Sequence, residues 1–309
     1  MAAYQGPYSS GELEERVERA RAILKSCELC PRRCKVDRLK GETGMCRTAS
    51  ETVVSSYGPH FGEEAPLVGL HGSGTIFFTH CNLRCMFCQN YPISQLGEGR
   101  VASKGELAQM MLSLQERGCH NINLVTPTHV VPQILEALEV AAGLGLSIPL
   151  VYNCGGYESL ETLMLLDGIV DIYMPDMKYS DERNARRFSG VKDYPGANRV
   201  AVKEMHRQVG DLQMDERGVA RWGLLVRHLV LPHGIAGTEG VVRFIAEEVS
   251  RDTYLNVMAQ YRPAHRAFKI PALSRSLLRQ EFTEAVSLAR EYGLERLDGV
   301  RPRSAARLI

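Results

Sequence analysis

Three cysteines, Cys81, Cys85 and Cys88, stand within the stretch THCNLRCMFCQN at C-x3-C-x2-C spacing. Three thiolates leave a tetrahedral zinc site one ligand short, and His80, the adjacent candidate, is poorly placed to join Cys81 on the same ion. Three is the right number for a different centre. A four-iron, four-sulfur ([4Fe-4S]) cluster held by three cysteines keeps one iron open, and an open iron can take the amino and carboxylate groups of an amino-acid-like molecule. S-adenosylmethionine is such a molecule. Its reductive cleavage yields methionine and a 5′-deoxyadenosyl radical able to take an unactivated hydrogen.

A second group, Cys27, Cys30, Cys34 and Cys46, reads C-x2-C-x3-C-x11-C, with Gly41 and Gly44 supplying turns that return the last thiolate to the first three. Four ligands make a closed site. Zinc would make it a structural clip, and a second [4Fe-4S] cluster would relay electrons or, with one iron open, bind a substrate; the ligand type fits both. Cys119 reads as a small buried hydrophobe, and Cys154, beside Gly155 and Gly156 at the active end of its strand, is a minor candidate for facing the substrate. If both groups held zinc, the chain would be a non-enzymatic metal scaffold that does not respond to S-adenosylmethionine.

These groups need a frame to position them. The 309 residues are 44% hydrophobic and 24% charged, enough for one large domain with a small appendage. Lys and Arg number 37 against 36 Asp and Glu, so the net charge of +1 carries no footprint of a nucleic-acid binder. Nine cysteines, an odd total crowded toward the first 88 residues, suit metal binding better than a disulfide framework. With no apolar leader and no membrane-spanning stretch, the expected location is the cytoplasm.

Apolar periodicity predicts a short amphipathic helix over 11–25 and, after the first cysteine group, strand and turn up to residue 72. A β-rich run at 74–80 leads straight into Cys81. Beyond it, helical patterns at 104–117, 130–143, 160–166, 238–250 and 274–292 alternate with apolar runs at 121–125, 149–153, 168–174, 223–231 and 253–258. Such a βα pattern, repeated about six times, predicts parallel strands wrapped by helices, in a doubly wound sheet or a barrel. In either, ligands gather at the C-terminal ends of the strands. The Arg-rich stretch 301–309 reads as a solvated end. His60, Glu63 and Glu64 read as a loop of solvated charges near the mouth.

The C-x3-C-x2-C loop with Phe87 before its third cysteine resembles the signature of the radical S-adenosylmethionine superfamily. GSGTIFFTHCNLRCMFCQNYPIS, DIYMPDMKYSDE and NVMAQYRPA are similar to the branch related to pyruvate formate-lyase activating enzymes, among homologues with an N-terminal four-cysteine motif. The resemblance implies an α/β fold, a partial (β/α)6 TIM-like barrel over 73–309, preceded by a small cysteine-rich metal-binding segment over 1–72. It implies a [4Fe-4S] cluster on Cys81, Cys85 and Cys88, and S-adenosylmethionine contacts from Asp176, Lys178 and Asn153. Where many members carry Gly-Gly-Glu after the second strand, this chain has Thr126, Pro127, Thr128 and His129. The Thr126 and Thr128 hydroxyls, or backbone carbonyls, are the substitutes, and His129 is either a ligand-facing proton donor or a surface histidine at a helix N-terminus.

Arg227 and His228 interrupt an apolar strand, and alternation sends them to opposite faces. The inward one, if Arg227, needs a ligand or an acid. Tyr261, with Arg262, falls where the family closes its cofactor site. The resemblance further implies an electron donor such as flavodoxin or ferredoxin, and a glycyl residue of a partner enzyme as substrate; a small molecule or peptide is the alternative.

Overall fold

The computed structural model describes residues 1–300, and the Arg-rich stretch 301–309 lies outside the described residues. The chain opens with helices α1 (Gln5–Ser10) and α2 (Glu12–Ile23), which break at Gly11, a left-handed residue. Helix α2 buries Leu13 and Ala20, as its periodicity predicts. The first cysteine group follows, irregular except for a single 3-10 turn at Arg38–Lys40 that Asp37 caps.

From there the order is β1 (Thr52–His60), α3 (Ala65–Val68), β2 (Ser73–Phe78), β3 (Arg100–Ala102), α4 (Lys104–Glu116), β4 (Ile122–Val125), α5 (Val131–Gly143), β5 (Leu150–Cys154), α6 (Leu160–Leu165) and β6 (Ile172–Pro175). It continues through α7 (Glu182–Ser189), α8 (Tyr194–Val209), β7 (Gln213–Met214), β8 (Ala220–Leu229), α9 (Thr238–Phe244), β9 (Tyr254–Met258) and α10 (Arg279–Glu291). Local signals set several helix starts: Ser103 and Glu106 close a capping box on α4, and Ser159 and Asp181 cap α6 and α7.

Strands β2, β4, β5, β6, β8 and β9 pair in that order, all parallel, which makes a mixed α/β fold around a central sheet. Strand β1, inside the expected 1–72 segment, pairs antiparallel with β2 and carries β3 on its other edge. Three details differ from the sequence pattern. The strand expected over 168–174 starts only at Ile172, because Gly168 is left-handed and the chain turns back on Leu166 there. Helices α7 and α8, between β6 and β8, were not foreseen. The helix expected over 274–292 starts at Arg279, after a 3-10 turn at Pro271–Leu273.

Parallel strands covered on both faces read as continuous apolar runs, and β5 and β6 are buried along their whole length. Alternation nevertheless sorts the side chains. Leu150, Tyr152, Tyr173, Leu224, Val226, Leu255 and Val257 join the main core under the helices. Val151, Ile172, Met174 and Leu225 pack on the other face against Leu67, Leu212 and Ala220. Carrying that second face toward the C-terminal strand ends reaches Asn153, Asp176 and Arg227.

Candidate active site

The register fixes what those end residues meet. Asp176 bridges to Arg227 across the sheet, and Arg227 is paired with Asn256 of β9. The Arg227 guanidinium donates to Asp176 Oδ1 at 2.8 Å and to Asn153 Oδ1 at 2.6 Å, and lies 3.8 Å from Glu64 Oε1. Asn256 donates to the same Glu64 oxygen at 2.9 Å, and Lys178 Nζ lies 2.5 Å from Asp176 Oδ2. Burial alone would raise the Asp176 carboxyl, but Arg227 and Lys178 outweigh it and hold the pKa below the ordinary carboxylate range. Glu64 is the reverse case: burial raises it, and Arg227 and Asn256 only partly offset this. The cluster is thus two cations around one firmly ionised carboxylate. It is held from behind by Tyr194, whose hydroxyl lies 2.8 and 2.9 Å from the carbonyls of Asp176 and Gly155 and accepts from the Lys178 N–H at 3.0 Å.

The thiol loop leaves β2 through His80, whose left-handed backbone turns the chain. Its far side is zipped to the end of α7: Arg84 N–H donates to Ser189 O and Met86 N–H to Phe188 O. Each sulfur has a hydrogen-bonding group beside it. Ser189 Oγ donates to Cys85 Sγ at 2.9 Å, the Leu83 N–H to Cys81 Sγ at 3.4 Å, and Ser94 Oγ lies 3.1 Å from Cys88 Sγ. Burial pushes the Cys81 and Cys85 thiols up, while the nearby Lys178 pulls both down. Phe87 is buried edge-on between Tyr179 and Tyr261, with ring centroids 6.4 and 6.0 Å away. The Tyr261 hydroxyl is spent on Leu273 O.

A cubane cluster takes each cysteine at a different iron, so its ligands stand farther apart than those of a single ion. Among the described residues, no three His, Cys, Asp or Glu groups gather as ligands of one metal ion would. Three thiols in one loop, each with a donor that can stabilise a thiolate, beside a lysine, fit a cluster in donor type and electrostatics.

Cys27, Cys30, Cys34 and Cys46 line one pocket together with Arg38, Asn82 and His129. Gly44 is needed there, since a Cβ would fall 2.7 Å from Cys34 Sγ. Arg38 is buried beneath the pocket, donating to Ala49 O and His129 O at 2.8 Å each, with Nη1 3.9 Å from Cys27 Sγ and Nη2 unpartnered. Ser159 and Thr162 hold Leu29 O, and Arg32 Nε donates to Asn82 O at 2.6 Å. Burial pushes the Cys30 thiol up to about 12. Asn82 touches both groups: it lines the pocket of the first group with Cys30, and its side chain lies 3.8 Å from Cys81 Sγ.

Several expected site residues stand elsewhere. His228 faces the helices, with its ring nitrogens on Met177 O and Thr238 Oγ1, because alternation gave the inward position to Arg227. Thr128 donates to Glu158 at 2.7 Å under α6 and has no hydroxyl to spare. His129 is buried, not at the surface; its Nε2 lies 2.7 Å from Thr79 O, and burial lowers it to about 3, so the ring is neutral. It lines the pocket of the first cysteine group instead of joining Asp176 and Lys178. Thr126 sits in the left-handed region at the end of β4, its N–H on Asn153 O. Cys154 points to the helix side, near Glu158, away from the face that carries Asp176. Glu64, expected among solvated charges, is buried in the cluster, and His60 pairs with Glu63 outside it. Sequence reasoning missed Asn256, Tyr194 and Ser189; only Asn256 carried a signal, a polar residue alternating with apolar neighbours in TYLNVM.

Compared with known proteins, the chain is 33% identical over an alignment of 293 positions to MJ0674 of Methanocaldococcus jannaschii, described only as an uncharacterized protein, covering 92% of this chain and 80% of that one. No protein-family profile matches. Among solved structures, a radical SAM methyltransferase from Sphaerobacter thermophilus superposes with a TM-score of 0.51 at 13% identity, covering 71% of this chain. The match spans 64% of the methyltransferase chain, a little under two thirds of its length. HydG, a maturase of the [FeFe]-hydrogenase, gives a TM-score of 0.47 at 11% identity over 71% of this chain and 48% of its own. The chain therefore belongs to the family of MJ0674, and its fold is similar to that of a radical SAM methyltransferase.

Proposed function

We propose that this protein is a radical S-adenosylmethionine enzyme. The observation that carries the reading is the convergence of the Cys81, Cys85 and Cys88 loop on Lys178 and Asp176, at the C-terminal ends of parallel strands. When bound, a [4Fe-4S] cluster on these thiolates would supply the electron that cleaves the sulfonium of S-adenosylmethionine to methionine and a 5′-deoxyadenosyl radical. The chain's residues do the rest. Lys178 offers a charge to a carboxylate, Asp176 and Asn153 offer acceptors to an ammonium or ribose hydroxyls, and Phe87 with Tyr261 closes one wall against water. In this reading the six parallel strands form a partial (β/α)6 barrel, and the N-terminal cysteines hold a second iron-sulfur cluster, since they are not gathered as the ligands of one zinc ion would be. Hydrogen abstraction is the reaction class, and the substrate is a glycyl residue of a partner enzyme or a small molecule or peptide.

The test is anaerobic reconstitution with iron and sulfide, followed by reductant and S-adenosylmethionine, assaying 5′-deoxyadenosine in the wild type and in Cys85→Ala. Formation that depends on Cys85 supports the reading. A cluster that forms and never cleaves S-adenosylmethionine refutes it. A glycyl signal in electron paramagnetic resonance from a captured partner would single out the activase form.

A further inference from the structure

Arg38 is the largest fully buried side chain among the described residues, with 1% of its surface exposed. A guanidinium keeps its charge at any pH a folded protein meets, so burying one without an anion is costly. Among the described residues no carboxylate pairs with it. The acids nearest in sequence are committed elsewhere: Asp37 accepts from the Leu39 N–H and pairs with Lys40, and Glu42 accepts from the Asp37 N–H. His129, from the loop after β4, offers only its carbonyl.

The guanidinium fork is divided in its use. Nε and Nη1 donate to Ala49 O and His129 O at 2.8 Å each, which fixes the group in place, while Nη2 is buried with no partner. Nη1 also lies 3.9 Å from Cys27 Sγ, and Arg38 lines the pocket shared by Cys27, Cys30, Cys34 and Cys46. A fixed cation with one N–H unspent, on a pocket of four thiols, calls for an anion among them. Four thiolates on a four-iron cluster supply one, because they carry more negative charge than the cluster core carries positive, oxidised or reduced.

We propose that Arg38 is the counter-cation of the cluster held by Cys27, Cys30, Cys34 and Cys46, donating through Nη2 to one of its sulfurs. The inference rests on the proposed function, in which those cysteines hold a second iron-sulfur cluster, and it names the residue that balances the charge. Reduction adds one electron to the cluster and breaks no bond, so a nearby fixed cation and a hydrogen bond to sulfur both favour the reduced state and raise the potential. Without the cluster, the same charge is buried unanswered, so cluster loading stabilises the fold in part through Arg38. A merely structural clip between Ala49 and His129 would do neither.

The test uses the full chain carrying Cys81→Ala, Cys85→Ala and Cys88→Ala as parent, so that only the N-terminal cysteines take up a cluster on anaerobic reconstitution with iron and sulfide. Arg38→Gln keeps an amide donor for one carbonyl and removes the charge; Arg38→Lys keeps the charge and loses the fork. Iron content, the electron paramagnetic resonance midpoint under dithionite titration, and Tm with and without cluster are measured for each. The midpoint should fall in Arg38→Gln and recover most of the way in Arg38→Lys, and loading should raise Tm less in Arg38→Gln than in the parent. Arg33→Gln, which removes an exposed charge already paired with Glu161 on the rim of the same pocket, should leave the midpoint near the parent's. An Arg38→Gln chain that folds without retaining iron, while Arg38→Lys retains it, supports the counter-cation equally. Equal midpoints in the parent and Arg38→Gln, equal losses in Arg38→Gln and Arg38→Lys, or the same fall in Tm with and without cluster overturns the proposal. A parent that binds no iron refutes the second cluster and its counter-cation together, whereas 5′-deoxyadenosine formation by the chain with all its cysteines tests the radical reading separately.

Discussion

Asp176 is the one carboxylate between two buried cations, so replacing it with Asn isolates what the arrangement is worth. In the wild type it accepts from Arg227 at 2.8 Å and faces Lys178, and all three side chains are less than a fifth exposed. Asp176→Asn keeps the shape and strands both cations beside a neutral amide, with Glu64 3.8 Å from Arg227 as partial relief. Breaking a buried ion pair by removing one partner costs about 3–5 kcal/mol. With an unfolding entropy near 2.1 cal/mol/K per residue, 309 residues give about 0.6 kcal/mol/K, so Tm should fall by roughly 5–8 °C. The sign of the paired substitution is the sharper test. Asp176→Asn/Arg227→Met removes one stranded cation and should recover about 2 kcal/mol of the loss, so the double variant unfolds later than the single. Anaerobic calorimetry of the cluster-free chain at pH 7 measures both. A single variant within about 2 °C of wild type, or a double variant less stable than the single, would refute the electrostatic reading of this cluster.

Glu158, buried against Thr128, Tyr152 and Cys154, has its carboxyl raised by burial from 4.5 to about 7. A carboxyl raised in the folded state adds stability fully present below pH 4.5 and lost as pH rises through 7. Glu158→Gln should therefore remove about 3 kcal/mol of wild-type stability loss between pH 5 and 8, read from urea midpoints, and an unchanged slope would contradict this. Gly156→Ala should abolish soluble protein or lower Tm sharply: φ is +72°, and the new Cβ would lie 2.2 Å from Asp176 O and 2.3 Å from Asn198 Nδ2. Soluble material with wild-type melting would show that the β5 loop can give way. Hydrogen bonds to cluster sulfurs raise the reduction potential, so Ser189→Ala, which removes the donor 2.9 Å from Cys85 Sγ, should lower it in an electron paramagnetic resonance titration; no shift would mean Ser189 does not address the thiolate.

The parts of the site legible in sequence are those where residue type and strand position coincide. The cysteine loop announces itself by spacing, and Asp176, Asn153 and Arg227 are polar groups at the ends of apolar runs, where ligands of βα folds gather. Alternation also separates Arg227 from His228, although it leaves open which one faces inward; the register of β8 against β6 and β9 decides that. Glu64 and His129 were unreadable because their burial is made by distant chain segments. Glu64 is covered through β9, and His129 is covered by Arg38 and the first cysteine group. Helices α7 and α8 escaped because α7 is strongly charged, with only Ala185, Phe188 and Ser189 buried, and its role is to hold the thiol loop from outside.

The first cysteine group is tied to three separate βα units at once: Leu29 to the start of α6, Arg38 to the loop after β4, and Arg32 to the loop after β2. This stretch has almost no regular structure of its own, and in the proposed function a metal at its centre fixes its shape and so helps hold these attachments. In the proposed function, an iron-starved cell would then not accumulate a folded, idle pool of this protein. It would hold a chain whose residues 27–50 swing free and draw the first proteolytic cut, so that metal supply is reported by the lifetime of the protein as well as by its turnover number.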